Sequence, residues 1–384
     1  MKDLRKKITK DAKRIIIKLG SSVLVGDVRY GTGRLVEDPE NPTLNSLMAE
    51  VSLIIEEGKE VIIVSSGSVA LGMKNLEIEK RPTSIPEMQA VAAVGQGILM
   101  DFYRKHFSAL GRKVAQVLLT HDDLSDRKRF LNARNTISAL LNLGVIPIIN
   151  ENDTVAVEEI KFGDNDTLAA LVTNLVEADL LVMLTNIDGL YDKNPVHDET
   201  AKRIPLVKDV DHLKVHKFGD ETSHFGTGGI TSKIEAARKA AHFGIATIVA
   251  DGFDRDPITR TLNGEDVGTL FLPREDRLTS KKHWIAFSTR PMGRVFIDDG
   301  AKTALSEGKK SLLPSGITTV DGVFESGEVV HLVDSVGMEF ARGITNYSSK
   351  EIETIRGHKS SEIEGLLGYS VFDEVVHRDN LVIL

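Results

Sequence analysis

Residues 14–23 read R-I-I-I-K-L-G-S-S-V, a short apolar run that leads into a turn of small residues. Three consecutive isoleucines are β-branched and the run is too short for a buried helix, so it predicts a strand buried on both faces. Lys18 ends the run, where a lysine usually extends to the surface. Gly20, Ser21 and Ser22 follow, and glycine lets backbone N–H groups approach an anion closely. On these residues alone, a surface lysine and an anion site both remain open.

Five further segments share the length and apolar character of the first predicted strand, 14–18. They are E-V-I-I-V-S (60–65), K-V-A-Q-V-L-L-T (113–120), V-I-P-I-I-N (145–150), L-L-V-M-L-T (180–185) and A-T-I-V-A (246–250). Helix-like segments lie between them, and three of these end before a glycine: 43–57, 127–143 and 231–243. Strands that alternate with helices predict a three-layer αβα sandwich with an open, mainly parallel sheet.

The sequence changes character at residues 273–283, P-R-E-D-R-L-T-S-K-K-H, which are charged and lack an apolar pattern. We interpret this stretch as a linker. Beyond it come short alternating runs such as G-R-V-F-I-D-D-G (293–300), with one helical run, A-K-T-A-L-S-E-G (301–308), among them. These patterns predict a small β-barrel-like or sandwich domain of about 100 residues. The expected domains are therefore 1–273 and 284–384.

The composition excludes several classes of function. Of the 384 residues, 41% are hydrophobic and 27% charged, the net charge is −8, and there is no cysteine. An acidic chain is not expected to bind nucleic acid or acidic membranes generally. Without cysteine there are no disulfides, thiolate catalysis or cysteine-bound zinc. No apolar run reaches the roughly 18 residues that span a bilayer, and the N-terminus lacks a signal-peptide core, so we expect a cytoplasmic protein without membrane contact.

Polar residues collect where the predicted strands end. Ser66 follows the second strand, N-E-N-D (150–153) follows the fourth, F-G-D-N-D-T (162–167) opens a helix, and T-N-I-D-G-L-Y (185–191) follows the fifth. Ligands bind outside the carboxyl ends of the strands in an open parallel sheet, so these residues are candidates for a site. A simpler interpretation is that the serine, acids and amides only cap helices.

Residues 225–237, F-G-T-G-G-I-T-S-K-I-E-A-A, resemble a phosphate-binding loop before a helix. The pattern G-x-x-x-x-G-K-[ST] is not met, because Ser232 precedes Lys233 and Ile234 follows it. A flexible turn is the simpler interpretation. Two lysines with glycine-rich loops and helix N-termini nevertheless favour phosphoryl transfer, which depends on positioning and charge neutralisation. A carboxylate acceptor would need no general base, because it is already ionised, and Asp153 is a candidate partner for a substrate ammonium group.

The chain resembles the glutamate 5-kinase family of the amino acid kinase superfamily. The motifs that carry this resemblance are I-I-K-L-G-S-S-V, I-V-S-S-G-S-V-A-L-G, F-L-N-A-R-N, I-N-E-N-D-T-V, F-G-D-N-D-T-L-A-A and G-T-G-G-I-T-S-K. The region from about Trp284 resembles the PUA domain of bacterial members. The resemblance covers nearly the whole chain. It implies the amino acid kinase fold, ATP-dependent phosphorylation of the side-chain carboxylate of L-glutamate, and the first step of proline biosynthesis.

The resemblance also implies roles for individual residues. Three would act on the phosphoryl group in transfer, with the aspartate orienting the lysines: Lys18, Lys233 and Asp166. Three would hold glutamate: Ser66, Asp153 and Asn165. ATP would be held by Lys18, Thr185, Asn186, Thr227, Gly228, Gly229, Ile230, Thr231, Ser232 and Lys233. The family often has Thr-Asp where this chain has Thr-Asn at 185–186, so contact with the nucleotide there is expected through the backbone.

The partners that the resemblance implies are ATP, L-glutamate, proline as an inhibitor and further copies of the chain. No set of His, Asp and Glu residues in the sequence has metal-ligand spacing, so we expect Mg²⁺ to bind with the phosphates of ATP. Two alternatives remain open. One is another amino acid kinase, acting on aspartate, N-acetylglutamate or carbamate, against which I-N-E-N-D and the PUA-like region argue. The other is RNA binding through the PUA-like domain. Residues 283–384 contain 10 Lys and Arg and 15 Asp and Glu, without the basic patch that RNA binding normally needs.

Overall fold

The predicted strands form one large sheet in a computed structural model of the chain. The structure describes residues 2–25, 42–155, 165–193, 195, 198–213, 229–274, 285–286, 291–308, 310–370 and 372–384. The chain divides into two units, Met1–Arg277 and Leu278–Leu384. The strands described in the first unit are β1 (Arg14–Leu19), β2 (Glu60–Ser65), β3 (Lys113–Leu119), β4 (Val145–Glu151), β5 (Leu180–Thr185), β6 (Leu190–Tyr191), β7 (Arg203–Ile204), β8 (Leu206–Val207), β9 (Ala246–Asp251) and β10 (Thr269–Phe271).

The strand order confirms the predicted sheet. All six predicted strands are present, and their ends lie within one residue of the expected bounds. Among the described residues, the order is β3-β4-β2-β1-β5-β9-β10-β8, with β6 and β7 paired separately. Neighbours from β3 through β9 are parallel, whereas β10 is antiparallel to β9. The sheet is therefore open and mainly parallel, and the ends of β1, β2, β4 and β5 meet at one edge.

The prediction that every strand is buried on both faces is wrong for β3. This strand lies at one edge of the described sheet, and its Lys113 and Gln116 are exposed. By contrast, β1, β2, β4 and β5 have neighbours on both sides and are buried along nearly their whole length. An apolar run does not reveal whether a strand is central, because that depends on the order of strands in the sheet.

Helices pack against both faces of the sheet, the face that carries Lys18 and the opposite face. The helices described in the first unit are α1 (Lys2–Asp11), α2 (Ser21–Val25), α3 (Pro42–Glu56), α4 (Ser68–Asn75), α5 (Ile85–Ala109), α6 (His121–Ser125), α7 (Arg127–Asn142), α8 (Asn165–Leu175), α9 (Ile230–His242) and α10 (Pro257–Leu262). Ile15 and Ile17 join a core with α3, α5 and α10. Lys18 alternates to the other face, and α8 contacts β1. The three predicted helices are confirmed as α3, α7 and α9.

Helix α1 is held by a buried arginine. Arg5 is 2% exposed, and its guanidinium donates to the backbone carbonyls of Pro205, Val267 and Gly268. These carbonyls immediately precede β8 and β10 in the chain. The charged N-terminal sequence is therefore an integral part of the first unit. None of the described helices combines the length and apolar composition needed to cross a bilayer.

The second unit is rich in β-strands, as predicted. Its described strands are β11 (Gly293–Ile297), β12 (Ile317–Gly322), β13 (Val329–Val333), β14 (Glu339–Ile344) and β15 (Leu381–Ile383), in the order β12-β11-β13-β14-β15. Its helices are α11 (Asp299–Ser306), α12 (Ser349–Ile355) and α13 (Ile363–Leu367), with short 3-10 helices at Pro314–Gly316, Ser360–Glu362 and Arg378–Asn380. Val295, Phe324 and Leu332 belong to its own core. The helical run predicted at 301–308 is α11, shifted by two residues.

Two glycines let α4 and α5 pack backbone against backbone. A Cβ atom on Gly95 would lie 1.7 Å from the carbonyl oxygen of Ser68, and a Cβ atom on Gly72 would lie 1.9 Å from that of Val91. Neither separation can be accommodated without moving a helix. Because α4 begins at Ser68, just after β2, α5 sets the position of the residues at the end of that strand.

We expect Gly95→Ala to lower the free energy of unfolding by about 1–3 kcal/mol, because the added methyl group overpacks this contact. Gly97→Ala is the matched control: it lies in the same helix, and a Cβ atom there would meet nothing within 4 Å. This control should be neutral or stabilising by up to about 1 kcal/mol, from helix propensity. Thermal unfolding of the two variants measures the difference, and equal melting temperatures would contradict the proposed contact.

Candidate active site

The predicted site residues are carried by elements that meet at the carboxyl edge of the sheet. Lys18 is the penultimate residue of β1, and Ser66 directly follows β2. Asn165 and Asp166 open α8, and Lys233 lies in the first turn of α9. The structure brings Lys18, Asp166 and Lys233 into direct contact, and it brings Ser66 and Asn165 together beside them. Thr227 and Gly228 of the glycine loop lie outside the described residues.

A buried carboxylate bridges two lysines. Asp166 Oδ1 is 2.5 Å from Lys18 Nζ, and Asp166 Oδ2 is 3.1 Å from Lys233 Nζ. The exposed fractions of the three side chains are only 8% for Lys18, 7% for Lys233 and 1% for Asp166. Lys18 is therefore not a lysine that extends from a strand end to the surface. The contact joins β1, α8 and α9 at one point.

The electrostatics of this cluster favour an anion. Burial alone would raise the pKa of Asp166, but the two lysine ammonium groups and the Ser232 hydroxyl hold that pKa below its usual range. The carboxyl group is thus ionised at neutral pH. Together Lys18, Asp166 and Lys233 carry a net charge of +1 in a buried position. A positive charge where little water screens it is suited to binding a phosphate group.

The first turn of α9 adds to this attraction. Gly229 is the N-cap, and Lys233 follows within the first turn. The Ser232 hydroxyl donates to Asp166 Oδ2 at 2.7 Å and also lies 2.9 Å from the Gly229 carbonyl oxygen. A helix N-terminus attracts negative charge through its dipole and its first backbone N–H groups. The stretch 225–237 does not match the P-loop pattern. Its described part, from Gly229 onward, nevertheless places Lys233 and a helix N-terminus at the charge cluster.

A group of amides lies on the β2 and β4 side of the cluster. The side-chain nitrogen Nδ2 of Asn165 is 3.0 Å from three acceptors: the Ser65 carbonyl oxygen, Ser66 Oγ and Asn150 Oδ1. In turn, Asn150 Nδ2 donates to Gln96 Oε1 at 2.7 Å. Asn165 therefore does more than cap α8, since its side chain ties the first turn of that helix to the ends of β2 and β4.

Asp153 lies in the turn after β4 and accepts a hydrogen bond from the Ser68 hydroxyl at 2.9 Å. Burial raises the pKa of Asp153, and the bond from Ser68 and the charge of Arg81 offset only part of that effect. A partly buried carboxylate with a raised pKa is stabilised in its ionised form by a cation that binds beside it. This environment suits a substrate ammonium group.

Thr185 and Asn186 lie on the other side of β1. The Thr185 carbonyl oxygen accepts from the Gly252 backbone N–H at 2.7 Å, next to the end of β9. The Thr185 hydroxyl is 3.3 Å from Asn186 Oδ1. The backbone N–H of Gly20 donates to the Leu184 carbonyl oxygen, which joins the turn after β1 to the end of β5. Thr185 and Asn186 are thus separated from Ser66 and Asp153, at the ends of β2 and β4, by the central strand.

Sequence reasoning gave no individual role to three residues of this site: Ser68, Asn150 and Gln96. Asn150 lies in the candidate stretch 150–153, and Ser68 lies in the motif I-V-S-S-G-S-V-A-L-G that follows the second strand. Gln96 gave a weaker signal, as a glutamine within the small and apolar residues V-G-Q-G of a helix. In the part of the chain that the structure describes, no three His, Asp or Glu side chains are grouped closely enough to hold a metal ion.

Comparison with known sequences agrees with this geometry. Residues 13–251 match the amino acid kinase family, and residues 293–367 match the PUA domain. The first match contains the whole cluster of Lys18, Asp166 and Lys233. This match covers more than half of the chain, so the chain is a member of the amino acid kinase family. Its lysines and helix N-terminus at the carboxyl edge of the sheet fit phosphoryl transfer.

Full-length relatives define the group more narrowly. The chain is 50% identical over 381 residues to glutamate 5-kinase of Geobacter sulfurreducens, covering 99% of this chain and 100% of the relative. It is 52% identical over 382 residues to glutamate 5-kinase of Geobacter metallireducens, with the same coverage. The glutamate 5-kinase of Moorella thermoacetica is 46% identical over 97% of both chains. The chain therefore belongs to the glutamate 5-kinases of the amino acid kinase family.

Proposed function

We propose that this chain transfers the γ-phosphoryl group of ATP to the side-chain carboxylate of L-glutamate, forming L-glutamyl 5-phosphate and ADP. The observation that carries the proposal is the buried contact of Asp166 with Lys18 and Lys233, beside an amide and carboxylate group suited to an amino acid. The names of the full-length relatives support glutamate as the substrate.

The order of the strands supports a division of the site between the two substrates. β2 and β4 lie on one side of β1, and β5 and β9 lie on the other. Glutamate would bind on the first side, with its ammonium group at Asp153 and with Ser66 and Asn165 beside it. ATP would bind on the second side, along Thr185, Asn186 and the glycine loop. The phosphoryl group would then pass between them at the centre of the edge, where Lys18 ends β1.

The chemistry requires charge neutralisation more than proton transfer. An oxygen of the glutamate carboxylate attacks the γ-phosphorus of ATP, and the bond from that phosphorus to the β,γ-bridging oxygen breaks as ADP leaves. The attacking carboxylate is already ionised, so no base has to remove a proton. Lys18 and Lys233 would neutralise charge on the oxygens in transfer, while Asp166 keeps both ammonium groups in place. Mg²⁺ would enter with the nucleotide as part of the ATP substrate.

ATP turnover should require both Mg²⁺ and L-glutamate. A coupled assay for ADP formation, run with glutamate, aspartate, N-acetylglutamate and carbamate, tests the substrate directly. Glutamate should give the highest kcat/KM. A full rate of ADP formation without glutamate, or a preference for aspartate, would contradict the proposed reaction.

Lys233→Ala should lower kcat by roughly 10²- to 10³-fold while ATP binding changes much less, because a preorganised donor acts mainly on charge that develops in the transition state. Lys233→Arg should rescue poorly, since the planar guanidinium cannot replace a compact ammonium in a buried site. Steady-state kinetics and a separate measurement of ATP affinity test both statements. An alanine variant that keeps more than about half of the parent kcat would remove Lys233 from the mechanism.

The KM for L-glutamate should fall as the pH rises through the pKa of Asp153, because only the ionised carboxylate attracts the substrate ammonium group. That pKa is raised above its ordinary value by burial, so the change in KM should occur at a higher pH than it would for an exposed aspartate. Asp153→Asn should increase KM by about 10- to 100-fold and remove this pH dependence. Asp101→Asn, an exposed change on α5, is the control. An unaltered KM profile in Asp153→Asn would show that the ammonium group binds elsewhere.

We propose that the domains 1–273 and 284–384 are separable. The unit division after Arg277 and the gap between the two family matches support a boundary in this region. A chain that ends at Pro273 should fold and phosphorylate glutamate at a rate within roughly twofold of the full chain. Circular dichroism and the ADP assay measure both properties. A folded but inactive short chain would mean that the second domain is needed for catalysis.

The family resemblance supports three further parts of this proposal: inhibition by proline, a homo-oligomer built on the kinase domain, and a cytoplasmic enzyme of proline biosynthesis. Adding proline to the assay and measuring the molar mass by light scattering address the first two. Unchanged turnover with millimolar proline, or a monomer at assay concentration, would rule out the corresponding part.

A further inference from the structure

Helix α5 reaches the site through two adjacent residues. Gly95 packs against the backbone of Ser68, whose hydroxyl donates to Asp153. Gln96 Oε1 accepts from Asn150 Nδ2, and Asn150 Oδ1 lies 3.0 Å from Asn165 Nδ2. Gln96 is thus the last member of a chain of amides that begins at the phosphoryl-transfer centre with the neighbour of Asp166.

Both ends of this amide chain have a buried polar atom without a hydrogen-bond partner among the described residues. These atoms are Gln96 Nε2, a donor, and Asn165 Oδ1, an acceptor. Leaving a buried donor or acceptor unpaired is costly, and folded proteins rarely do so without a reason. One unpaired donor and one unpaired acceptor in a single network, beside the carboxylate of Asp153, match a ligand that offers both a carboxylate and an ammonium group.

The spacing of the strands fits an amino acid with its reactive end at Lys18. β2 separates β4 from β1, so the ends of β4 and β1 are about 9–10 Å apart at the usual strand spacing. The two carboxyl carbons of glutamate are four bonds apart, or about 5 Å in the extended zigzag at roughly 1.5 Å per bond. The side chains of Gln96 and Lys18 can cover the remaining distance. Aspartate, which is one methylene shorter than glutamate, would span the distance between Gln96 and Lys18 less well.

We propose that Gln96 determines substrate specificity by donating its Nε2 hydrogens to the α-carboxylate of the amino acid substrate. This inference rests on the proposed function and assigns the end of the substrate that does not react. In this arrangement Gln96 would touch no group of the reacting end. It therefore acts on affinity and on the choice of substrate, and the transfer step remains with Lys18 and Lys233.

Gln96→Glu separates substrate recognition from a merely structural role. The variant keeps an oxygen to accept the hydrogen bond from Asn150 but loses the N–H donor and places a negative charge opposite the α-carboxylate. KM for L-glutamate should rise by about 10- to 100-fold. KM for ATP and kcat at saturating glutamate should stay within roughly twofold, since the reacting groups are unchanged.

L-isoglutamine provides a second readout, because its α-carboxylate is replaced by a carboxamide while its side-chain carboxylate is free to react. The parent enzyme should discriminate strongly against it, as sites built to hydrogen-bond one group reject analogues that lack it. In Gln96→Glu the ratio of kcat/KM for glutamate over isoglutamine should fall at least about tenfold, since a carboxamide can donate to the new carboxylate. Gln116→Glu, the same change at an exposed position on β3, is the matched control and should behave like the parent.

The outcomes separate this inference from the proposed function. If the parent enzyme turns over glutamate and Gln96→Glu keeps both its KM and its discrimination, Gln96 is structural and the inference is wrong. If KM for glutamate and KM for ATP rise together, the substitution has disturbed the whole site and the assignment to the α-carboxylate is also wrong. If the parent enzyme does not use glutamate at all, the proposed function itself fails, and the role of Gln96 fails with it.

Discussion

The architecture of the site depends on one buried carboxylate between two ammonium groups. Without Asp166, Lys18 and Lys233 would repel each other in a position where little water screens them. Removing one partner from such a buried contact typically costs about 3–5 kcal/mol, because the remaining charge is left uncompensated. The contact therefore fixes the start of α8, the end of β1 and the first turn of α9 relative to one another.

Two neighbouring residues at the start of α8, Asn165 and Asp166, make different contacts at the carboxyl edge of the sheet. Asp166 holds the lysines, while Asn165 bonds to the ends of β2 and β4. Helix α5 supports this second set of contacts, because Gly95 abuts Ser68 and the buried Tyr103 hydroxyl lies 2.8 Å from Ser65 Oγ. A displacement of α5 would thus act directly on the residues at the ends of β2 and β4, where we propose that the amino acid binds, and only indirectly on the charge cluster.

Most of the sheet could be predicted because its strands are short, apolar and β-branched, a pattern that few other structures share. The edge position of β3 could not, since exposure of Gln116 follows from strand order. The family resemblance implied that Lys18, Asp166 and Lys233 act together. It could not predict Gln96, whose contact with Asn150 links residues 54 positions apart in the chain. Nor could it predict that Arg5 is buried, because the partners of Arg5 are backbone carbonyls, which every type of residue carries.

A double-mutant cycle on kcat with Asp166→Asn and Lys233→Ala tests the central claim most directly. If Asp166 acts by holding the lysines, each single variant should lose roughly 10²- to 10³-fold in kcat, and the double variant should lose clearly less than the product of the two losses. Coupling of that kind is expected only when one residue works through the other. Losses that multiply in the double variant would mean that Asp166 and Lys233 act independently, and would contradict this account of the site.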